Sequence, residues 1–327
     1  MDCPLLLKNP GPPMNSFSLS IVIPVFNSEM ILPTLIERIG KTLPSLSRRV
    51  EVILVNDGSI DQSWEIICQL SKRYEWVHGI DLMRNYGQHN ALLCGIGAAK
   101  GDVIVTMDDD LQHPPEEIPK LVEKLEEGYD VVYGMPPNRQ HGVWRHLATH
   151  VTKLALQNAM GAEIARTVSA FRAFRTKLRD AFANYRSPFV SIDVLLTWGT
   201  IRFVAIPVRH DSRWAGESQY TFRKLASHAL NMMTGFSTWP LQLASLVGFG
   251  FTLFGLGVLA YVIGRYLIHG RVVPGFAFLA SVIAIFSGAQ LFALGIIGEY
   301  LARMHFRTME KPPYIVRTHS ENGKNRR

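Results

Sequence analysis

The sequence lacks the cysteine patterns that build zinc sites and disulfide frameworks. Its three cysteines, Cys3, Cys68 and Cys94, lie far apart along the chain. Zinc sites and small disulfide-stapled domains need closely and regularly spaced cysteines. We therefore interpret all three as free thiols of a protein that works in a reducing compartment.

Long basic runs are also absent, although the chain is basic overall. It has 327 residues and a formal net charge of +7. This charge predicts an anionic partner, and phospholipid or phosphate-bearing ligands would fit as well as nucleic acid. Because no run of Lys and Arg is interleaved with aromatic residues, we expect no nucleic-acid partner.

The first 18 residues lack the features of a signal peptide. Their only apolar stretch is Leu5–Leu7, and the segment contains four prolines: Pro4, Pro10, Pro12 and Pro13. A signal peptide needs a longer apolar region than this. We predict that residues 1–18 form a flexible leader and that the catalytic part stays on the side of the membrane where it is made.

Charge is nearly missing between Leu241 and Gly298. Residues 241–264 are 24 positions without a charged side chain, and residues 272–298 are 27. About 20 apolar residues are enough to span a bilayer as a helix. We predict a two-helix transmembrane hairpin with spans at 240–268 and 272–298. The alternative is a pair of buried helices in a soluble core.

Lysine and arginine are unevenly distributed around this hairpin. The link between the spans holds only Arg265 and Arg271, whereas basic residues are frequent before the first span and after the second. This bias places both termini in the cytoplasm of a multi-pass inner (plasma) membrane protein, with residues 299–327 as a cytoplasmic tail. Residues 220–239 suit an amphipathic helix on the membrane surface, with a helix packed on the soluble domain as the alternative.

Strand-like and helix-like segments alternate in the first third of the chain. Apolar runs at 19–25, 50–55 and 103–107 alternate with helical patterns such as the one at 88–99. This alternation predicts an α/β domain with a mostly parallel sheet, which we assign to residues 19–219. Ligands of such sheets bind at the carboxyl ends of the strands. The polar residues at these ends are Asn27, Asp57, Arg84, Asn85 and Asp108 to Asp110.

Three consecutive carboxylates, Asp108, Asp109 and Asp110, follow the strand at 103–107. Carboxylates this close repel each other unless a cation lies between them. Mg²⁺ and Mn²⁺ prefer hard oxygen ligands, and Mg²⁺ usually completes its shell with phosphate oxygens. We predict Asp108 and Asp110 as the metal ligands, because they lie on the same side of an extended backbone. The alternative is an acidic helix start, since two prolines and two glutamates follow.

Two further groups of residues carry polar chemistry. Asp57 precedes a glycine and a serine, and it could close a turn or accept hydrogen bonds from a nucleotide. The segment 209–218 contains arginines, which bind phosphate through a planar fork, and Gly216, which lets the backbone come close. Four other arginines are candidates for a second anion site, with ordinary solvated arginines as the alternative: Arg139, Arg145, Arg172 and Arg175.

Five motifs in these segments together resemble the family 2 glycosyltransferases of the dolichol-phosphate mannosyltransferase type. They are Ile23-Pro24-Val25-Phe26-Asn27, Val55-Asn56-Asp57-Gly58-Ser59, Arg84-Asn85-Tyr86-Gly87-Gln88-His89, Asp108-Asp109-Asp110-Leu111-Gln112-His113-Pro114-Pro115-Glu116 and Arg213-Trp214-Ala215-Gly216-Glu217-Ser218. The resemblance runs from about Leu19 to Arg303. It is strongest to the bacterial branch that includes undecaprenyl-phosphate 4-deoxy-4-formamido-arabinose transferases and bactoprenol glucosyl-type transferases.

This resemblance implies a GT-A (Rossmann-like) fold and a role for each motif. The donor nucleotide would contact Pro24, Asn27, Asp57 and Asp108. The metal, Mg²⁺ or Mn²⁺, would be bound by Asp108 and Asp110. The implied catalytic set is Asp108, Asp110, Gln112 and Arg213, with Gln112 near the sugar and Arg213 on the donor diphosphate. Arg139 and Arg145 would bind the acceptor phosphate. The implied partners are a UDP-type sugar nucleotide, a polyprenyl phosphate, the bilayer and further copies of the chain, up to a tetramer.

The sequence departs from the family pattern at three places. Ser28 stands where the family often has Glu directly after Asn27. Asp109 occupies a middle acidic position that is often Ala. Gln219 follows Glu-Ser where Lys is frequent. The first and third departures weaken the inferred base and phosphate contacts, whereas none of them removes the two metal carboxylates.

The predicted activity is metal-dependent, inverting transfer of a sugar from a nucleoside diphosphate to a polyprenyl (undecaprenyl) phosphate. The product would be a lipid-linked monosaccharide for modification of cell-envelope glycans. One alternative is a processive polysaccharide synthase, which would need more spans and a Gln-x-x-Arg-Trp motif that is missing around Arg213-Trp214. The other is a membrane-tethered subunit that binds sugar nucleotides without catalysis.

Overall fold

The computed structural model describes residues 17–46, 49–136, 167–187, 190–211, 239–269 and 275–320. In these ranges eight strands form one sheet: β1 (Ser18–Val25), β2 (Arg49–Asn56), β3 (Val77–Leu82), β4 (Val103–Thr106), β5 (Val131–Met135), β6 (Arg172–Arg175), β7 (Phe203–Pro207) and β8 (Val316–His319). The α-helices are α1 (Leu32–Leu46), α2 (Ser63–Arg73), α3 (Gln88–Ala98), α4 (Ile118–Glu126), α5 (Ile192–Thr197), α6 (Trp239–His269) and α7 (Phe276–Thr308). Short 3₁₀ turns cover Pro115–Glu117 and Thr176–Phe182.

The strands lie in the order β7-β5-β6-β4-β1-β2-β3-β8. β4, β1, β2 and β3 are parallel neighbours, and β5 is parallel to β7. β6 runs antiparallel to β4 and β5, and β8 runs antiparallel to β3. The predicted α/β class with a mostly parallel sheet is confirmed.

The buried strands explain the continuous apolar runs in the sequence. Side chains alternate between the two faces of a strand, and both faces of β1 are covered. Ile21 and Ile23 point to a core shared with α1, α2 and α4, whereas Val22 points to a second core shared with α3 and α5. A strand covered on both faces has no solvent face on which polar residues could alternate.

Two long apolar helices follow the α/β domain. α6 and α7 pack against each other through Phe251, Phe254 and Phe286, with ring centroids 5.6 and 6.5 Å apart. Both contain candidate membrane spans, Leu241–Ile268 and Ile285–Ala302, and apart from Ala244 no residue of these two spans is buried inside the protein. An apolar surface left open along two such helices suits contact with lipid.

The second helix lies farther along the chain than the predicted span at 272–298. α7 begins at Phe276 and continues to Thr308. The extra turns include Glu299 and Arg303, which favour a helix as well as apolar residues do. Loss of apolar character therefore marks the edge of a membrane span and not the end of the helix. The first helix, α6, differs from its predicted bounds by one residue at each end.

The segment predicted as a C-terminal tail contains β8, which completes one edge of the sheet. β8 pairs Thr318 with Asp81 and Val316 with Leu82 of β3. A four-residue strand with alternating basic residues carries too little apolar pattern to be recognised from sequence. At the other end of the domain β1 begins at Ser18, one residue before the predicted domain start at Leu19.

Candidate active site

The carboxyl ends of the four parallel strands meet at a cavity of about 400 Å³. Five residues predicted to bind donor or metal line it together: Pro24, Asn27, Asp57, Asp108 and Asp110. They come from the end of β1 and from the loops after β1, β2 and β4, which the sheet order places side by side. The structure therefore brings together residues that lie up to 86 positions apart in the sequence.

A larger cavity, of about 580 Å³, lies at the opposite edge of the sheet. Its lining includes Glu51, whose Oε1 already accepts hydrogen bonds from Ser20 Oγ and the Lys100 amide, each at 2.6 Å. This edge holds the amino ends of the strands, whereas open α/β sheets bind ligands at the carboxyl ends. The smaller cavity is therefore the candidate site.

Asp57 organises one wall of the site. Its Oδ1 accepts a hydrogen bond from the Tyr86 amide at 2.7 Å, and its Oδ2 accepts one from the Gly87 amide at 2.8 Å. Burial raises the pKa of Asp57, and the two amide hydrogen bonds oppose that rise. The carboxylate predicted to contact the nucleotide thus also fixes the loop after β3.

Gly58 allows that loop to come close to the end of β2. Its φ is 67°, and a Cβ atom built on it would lie 2.4 Å from the Asn85 backbone nitrogen. Backbone atoms cannot move aside as the end of a flexible side chain can. The Asp57-Gly58 pair is therefore required by a close approach of two loops, and not merely by a turn.

Asn27 joins the loop after β1 to the loop after β2. It adopts a φ of 54°, which asparagine tolerates better than most residues. Its amide donates to Ser59 Oγ at 3.0 Å, and its side-chain Oδ1 accepts from the Ile60 amide at 2.9 Å. These two bonds fix the predicted base-binding residue to the rim of the cavity.

Two of the departures from the family pattern contact each other. Ser28 Oγ donates a hydrogen bond to Asp109 Oδ2 at 2.5 Å. Burial raises the pKa of Asp109 to about 6, and the hydrogen bond from Ser28 opposes the rise. The middle carboxylate is thus bonded to a neighbouring hydroxyl, and all three aspartates line the cavity as half-buried residues.

Amide groups orient the two outer carboxylates. The Gln88 side-chain Nε2 donates to Asp108 Oδ1 at 2.6 Å, and the Gln112 backbone amide donates to Asp110 Oδ1 at 3.1 Å. Gln112, predicted to lie near the sugar, is thus adjacent to Asp110 but is not part of the cavity lining.

The prediction that Arg172 and Arg175 belong to a second anion site is wrong. Arg172 is only 1% exposed, forms an ion pair with Asp193 and donates from Nε to Thr106 Oγ1 at 2.9 Å. Arg175 donates to the Leu125 carbonyl at 2.9 Å and lies 3.5 Å from Asp130. Both guanidinium groups are engaged in internal contacts, because β6 lies inside the sheet between β4 and β5.

Arg172 still bears on the site through its charge. It pairs across the sheet with Thr106, two residues before Asp108. Burial lowers the pKa of Arg172, but the negative charges of Asp193 and Asp108 outweigh it and the pKa is raised. A buried positive charge therefore interacts with the predicted metal ligand Asp108.

The start of the basic segment lies alongside the acidic loop. The Asp211 amide donates to the Gln112 carbonyl at 2.9 Å, and Arg209 Nε lies 3.2 Å from Asp211 Oδ1. Glu116 pairs with Arg38 at 2.7 Å and with Arg209 at 3.8 Å. Arg213, Arg139 and Arg145, predicted to contact the two phosphate groups, lie outside the described residues, as does Gln219.

A buried histidine lies behind the acidic loop. The His113 ring stacks on Phe171 with centroids 5.3 Å apart and meets the edge of His210 at 5.0 Å. Burial, together with the neighbouring His210, lowers the pKa of His113 to about 4. His113 is therefore neutral at physiological pH and joins the basic segment to the acidic loop through ring contacts.

Residues 20–183 match the family Glycosyl transferase family 2. This range covers half of the chain and includes the cavity with its four aspartates. The chain belongs to glycosyl transferase family 2. The motif resemblance is thereby confirmed, and the protein is an enzyme of the glycosyltransferase class.

Relatives of this family 2 glycosyltransferase match beyond the catalytic domain. It is 37% identical over 309 residues to an undecaprenyl-phosphate 4-deoxy-4-formamido-L-arabinose transferase of Pseudomonas savastanoi pv. phaseolicola, covering 92% of each chain. It is 35% identical over 300 residues to the transferase of the same name from Klebsiella pneumoniae, covering 91% of this chain and 92% of the relative. Coverage this high includes at least part of the α6–α7 hairpin as well as the sugar-nucleotide domain.

A solved structure of another enzyme shows the same fold. Glucosyl-3-phosphoglycerate synthase from Mycobacterium tuberculosis, crystallised with Mn²⁺, UDP and glucosyl-3-phosphoglycerate, superposes with a TM-score of 0.50 and 20% identity. The superposition covers 67% of this chain and 78% of that one. The GT-A fold expected from the motifs is confirmed.

The residues at the cavity fit a divalent metal that a nucleotide helps to hold. In the described parts of the chain, no group of three His, Cys, Asp or Glu side chains could hold a metal ion. Asp108 and Asp110 provide carboxylate oxygens at the rim of a cavity large enough for a ligand. Mg²⁺ is characteristically bound by one or two carboxylates together with substrate phosphates and water, and this donor set is of that type.

Sequence reasoning missed several residues that build the site. Gln88, Ser28 and Arg172 contact or support the acidic triplet, and each is more than 15 residues from it in the sequence. Gln88 lies within the motif at 84–89 and Ser28 directly follows the motif at 23–27. The motifs therefore indicated that these residues are near the site, but not which residues they contact. Arg172 was noticed only as a basic residue, since burial cannot be read from a single charged position.

Proposed function

We propose that this enzyme transfers one sugar from a UDP-sugar to undecaprenyl phosphate and so makes a lipid-linked monosaccharide for modification of cell-envelope glycans. The observation that carries the proposal is the similarity over nine tenths of the chain to transferases named for that lipid acceptor. The cavity at the strand ends supports it, because it combines carboxylates with loops that could enclose a nucleotide.

The donor would occupy the cavity with its base toward β1 and β2 and its diphosphate toward β4. In this arrangement Pro24, Asn27 and Asp57 contact the nucleoside. Asp108 and Asp110 hold Mg²⁺ or Mn²⁺, which supplies positive charge to the departing diphosphate when it is bound. Gln88 orients the Asp108 carboxylate through the bond at 2.6 Å.

Residues around the acidic loop would complete the donor site. Gln112 follows the triplet and is proposed to approach the sugar, while Arg213 is proposed to contact the diphosphate. The Asp211 amide is bonded to the Gln112 carbonyl, and Arg213 is two residues farther along the chain. This bond supports the proposal, because it ties the basic segment to the acidic loop near Arg213.

The acceptor needs little help from a general base. A phosphate monoester has a second pKa of about 6 and is largely dianionic at neutral pH. Its oxygen attacks the anomeric carbon and forms a carbon–oxygen bond, while the bond to the UDP oxygen breaks and its electron pair leaves with UDP. Attack from the face opposite the leaving group inverts the anomeric configuration. Arg139 and Arg145 are proposed to hold the acceptor phosphate during this step.

The membrane arrangement follows from the hairpin and the sheet. α7 ends at Thr308, and only seven residues separate it from β8. An extended chain covers at most about 3.6 Å per residue, so the end of α7 lies near the catalytic domain. We propose that both ends of the hairpin face the cytoplasm with the catalytic domain, that residues 220–239 lie on the membrane surface, and that the enzyme belongs to the inner membrane.

The rival activities receive no support from the described residues. A processive synthase would need enough spans to form a polymer channel, whereas the described part of the chain contains two candidate spans. A subunit without catalysis is at odds with membership of a glycosyltransferase family that extends over the acidic triplet.

The test uses purified full-length enzyme, undecaprenyl phosphate and a panel of UDP-, GDP- and CDP-sugars that includes UDP-4-deoxy-4-formamido-L-arabinose. Each reaction is run with Mn²⁺, with Mg²⁺ and with EDTA. We expect a lipid product from a UDP-sugar that depends on the added metal. Hydrolysis of the donor without any lipid product, or a product that forms equally well in EDTA, would contradict the proposal.

A further inference from the structure

The chain returns to the catalytic sheet after the α6–α7 hairpin, and this returning segment pairs with the strand that leads into a loop of the donor cavity. β8 pairs with β3, and the β3 end leads into the loop that Asp57 fixes. We propose that Arg317, in β8, is a positioning residue for the nucleotide pocket. This inference rests on the proposed function, because it assigns the pocket to a nucleotide.

Arg317 makes two contacts at the end of β3. Its Nη1 lies 3.3 Å from Asp81 Oδ2, and its Nη2 donates to the Met83 carbonyl at 2.8 Å. The Asp81 side chain is only 3% exposed, whereas that of Arg317 is 55% exposed. A buried carboxylate is costly to leave without a partner. Arg317 thus neutralises a charge inside the sheet edge and at the same time fixes the first residue beyond β3.

The first contact continues to the end of β2. Asp81 Oδ1 accepts a hydrogen bond from the Asn56 side chain at 2.7 Å. Asn56 is the last residue of β2, directly before Asp57. The Asp81 carboxylate therefore joins Arg317 on one side to the strand that carries a predicted nucleotide contact on the other.

The second contact continues into the loop after β3. Met83 is followed by Arg84 and Asn85, and then by the two amides that donate to Asp57. The backbone of Arg84 and Asn85 lies against Gly58 so closely that no Cβ atom fits between them. Arg317 fixes one end of this loop, and Asp57 fixes the other.

Other contacts set the position of the returning segment. The Ser320 amide donates to the Gly79 carbonyl at 2.9 Å, and the Gly79 amide donates to Ser320 Oγ at 2.7 Å. The Met83 amide donates to the Ile315 carbonyl at 2.9 Å. The segment is thus bound on both sides of Arg317, which places its guanidinium group within reach of Asp81 and Met83.

Removal of the guanidinium should therefore act on nucleotide binding more than on folding. The backbone pairing of β8 remains, but the Asp81 carboxylate and the Met83 carbonyl lose their charged donor. Hydrogen bonds to charged groups are stronger than neutral ones. Part of that loss should appear as poorer order of the loop that contacts the donor.

The experiment compares wild-type enzyme with Arg317→Met and Arg317→Lys, all full length in nanodiscs. Thr318→Val on the same strand is the matched control, because the Thr318 side chain bonds only locally, to the neighbouring His319 carbonyl. Binding of UDP with Mn²⁺ is measured by calorimetry. Hydrogen exchange is measured without nucleotide on peptides from the whole sheet, including those that cover residues 56–60 and 83–87.

We expect Arg317→Met to raise the Kd for UDP about five- to tenfold, with faster exchange confined to residues 83–87 and 56–60. Arg317→Lys should restore part of the affinity, and Thr318→Val should match wild type. A Kd within about twofold of wild type for Arg317→Met would overturn the inference, and so would faster exchange spread evenly over the sheet. If wild type binds no UDP, the proposed function fails instead, while the exchange data still decide the role of Arg317.

Discussion

At the scale of residues, the site combines three half-buried carboxylates that differ in their hydrogen-bond donors. The Ser28 hydroxyl donates to Asp109, whereas the Gln88 side chain donates to Asp108 and the Gln112 amide donates to Asp110. Ser28 and Asp109 both depart from the family pattern, and because they are hydrogen-bonded to each other they form a single local change. The metal assignment to the outer pair is consistent with this division.

Asp110→Asn should abolish sugar transfer, with a loss of at least about a hundredfold in kcat/KM, because an amide supplies no negative charge to a divalent metal. The substitution is isosteric, and Asp110 lies far from the hairpin in the sequence, so membrane insertion should be unchanged. Turnover is measured with radiolabelled donor, and insertion by extraction of membranes with carbonate. Turnover close to that of wild type would refute the assignment of Asp110 to the metal.

Gly58→Ala should weaken nucleotide binding at least about tenfold, because the new Cβ atom meets the backbone of Arg84 and Asn85 and forces the loop away. Gly97→Ala is the matched control: a Cβ atom there would meet only the Tyr314 hydroxyl, at 3.7 Å. It should leave the Kd for UDP unchanged. Equal affinity of the two variants would show that the close approach of the loops is unimportant.

At the scale of elements, the site depends on where the strands end and on what covers them. The parallel order of β4, β1, β2 and β3 places their loops on one edge, and β8 then completes the far side. The segment before β8 also covers α3, because the Tyr314 hydroxyl is bonded to the Cys94 thiol. The part of the chain after the hairpin thus contacts both a strand and a helix of the catalytic domain.

The reactivity of the Cys94 thiol should show whether the segment before β8 is packed on α3. Burial raises the pKa of its thiol to about 12, with Tyr314 opposing the rise. Only the thiolate reacts with iodoacetamide, and an exposed cysteine has a pKa of about 8.5. In a Cys3→Ser, Cys68→Ser background, alkylation of the native enzyme at pH 8 should be at least about a hundredfold slower than after denaturation.

The pH dependence of Cys94 alkylation should differ between the native and the denatured protein. Because the native thiol holds its proton up to about pH 12, the native labelling rate should still be rising above pH 9. The rate for the denatured chain should level off there. The pKa of the thiol is about 12 in the folded state and about 8.5 in the unfolded state, so the unfolded state loses the proton first as the pH rises. The contribution of this thiol to the free energy of unfolding is therefore fully present below about pH 8.5 and falls as the pH rises toward 12. A native profile that levels off near pH 9 would show that Cys94 is exposed.

At the scale of the whole molecule, the membrane hairpin interrupts the catalytic sheet in sequence but not in space. Seven strands precede α6, and the eighth follows α7. The apolar helices therefore cannot be a detachable anchor, because their far end leads back to β3 beside the donor loop. This arrangement would hold the cavity close to the bilayer, where a lipid phosphate is found.

Arg145→Ala should mainly weaken the use of the lipid acceptor. Loss of one charged phosphate contact should raise the KM for undecaprenyl phosphate about tenfold while leaving the KM for the sugar nucleotide within about twofold. Initial rates are measured against each substrate in turn, with detergent and enzyme concentrations fixed. An unchanged dependence on the lipid would show that the acceptor phosphate binds elsewhere.

Much of this molecule could be predicted from its sequence, because the deciding signals are local. The buried strands are short apolar runs, the hairpin is two charge-free stretches, and the acidic triplet follows a strand directly. Contacts between distant residues were not predictable. Arg317 and Asp81 are 236 positions apart in the sequence, and β8 is too short and too basic to show a strand pattern. Arg172 was misassigned because a single arginine does not reveal whether it is buried.

The mass of the lipid formed from undecaprenyl phosphate and a UDP-sugar tests the central claim most directly. We expect one new species that is heavier than undecaprenyl phosphate by a single sugar residue. It should form with Mn²⁺ or Mg²⁺ and be absent with EDTA or with Asp110→Asn. A ladder of products with several sugars, or a lipid that keeps its original mass while UDP is released, would contradict it.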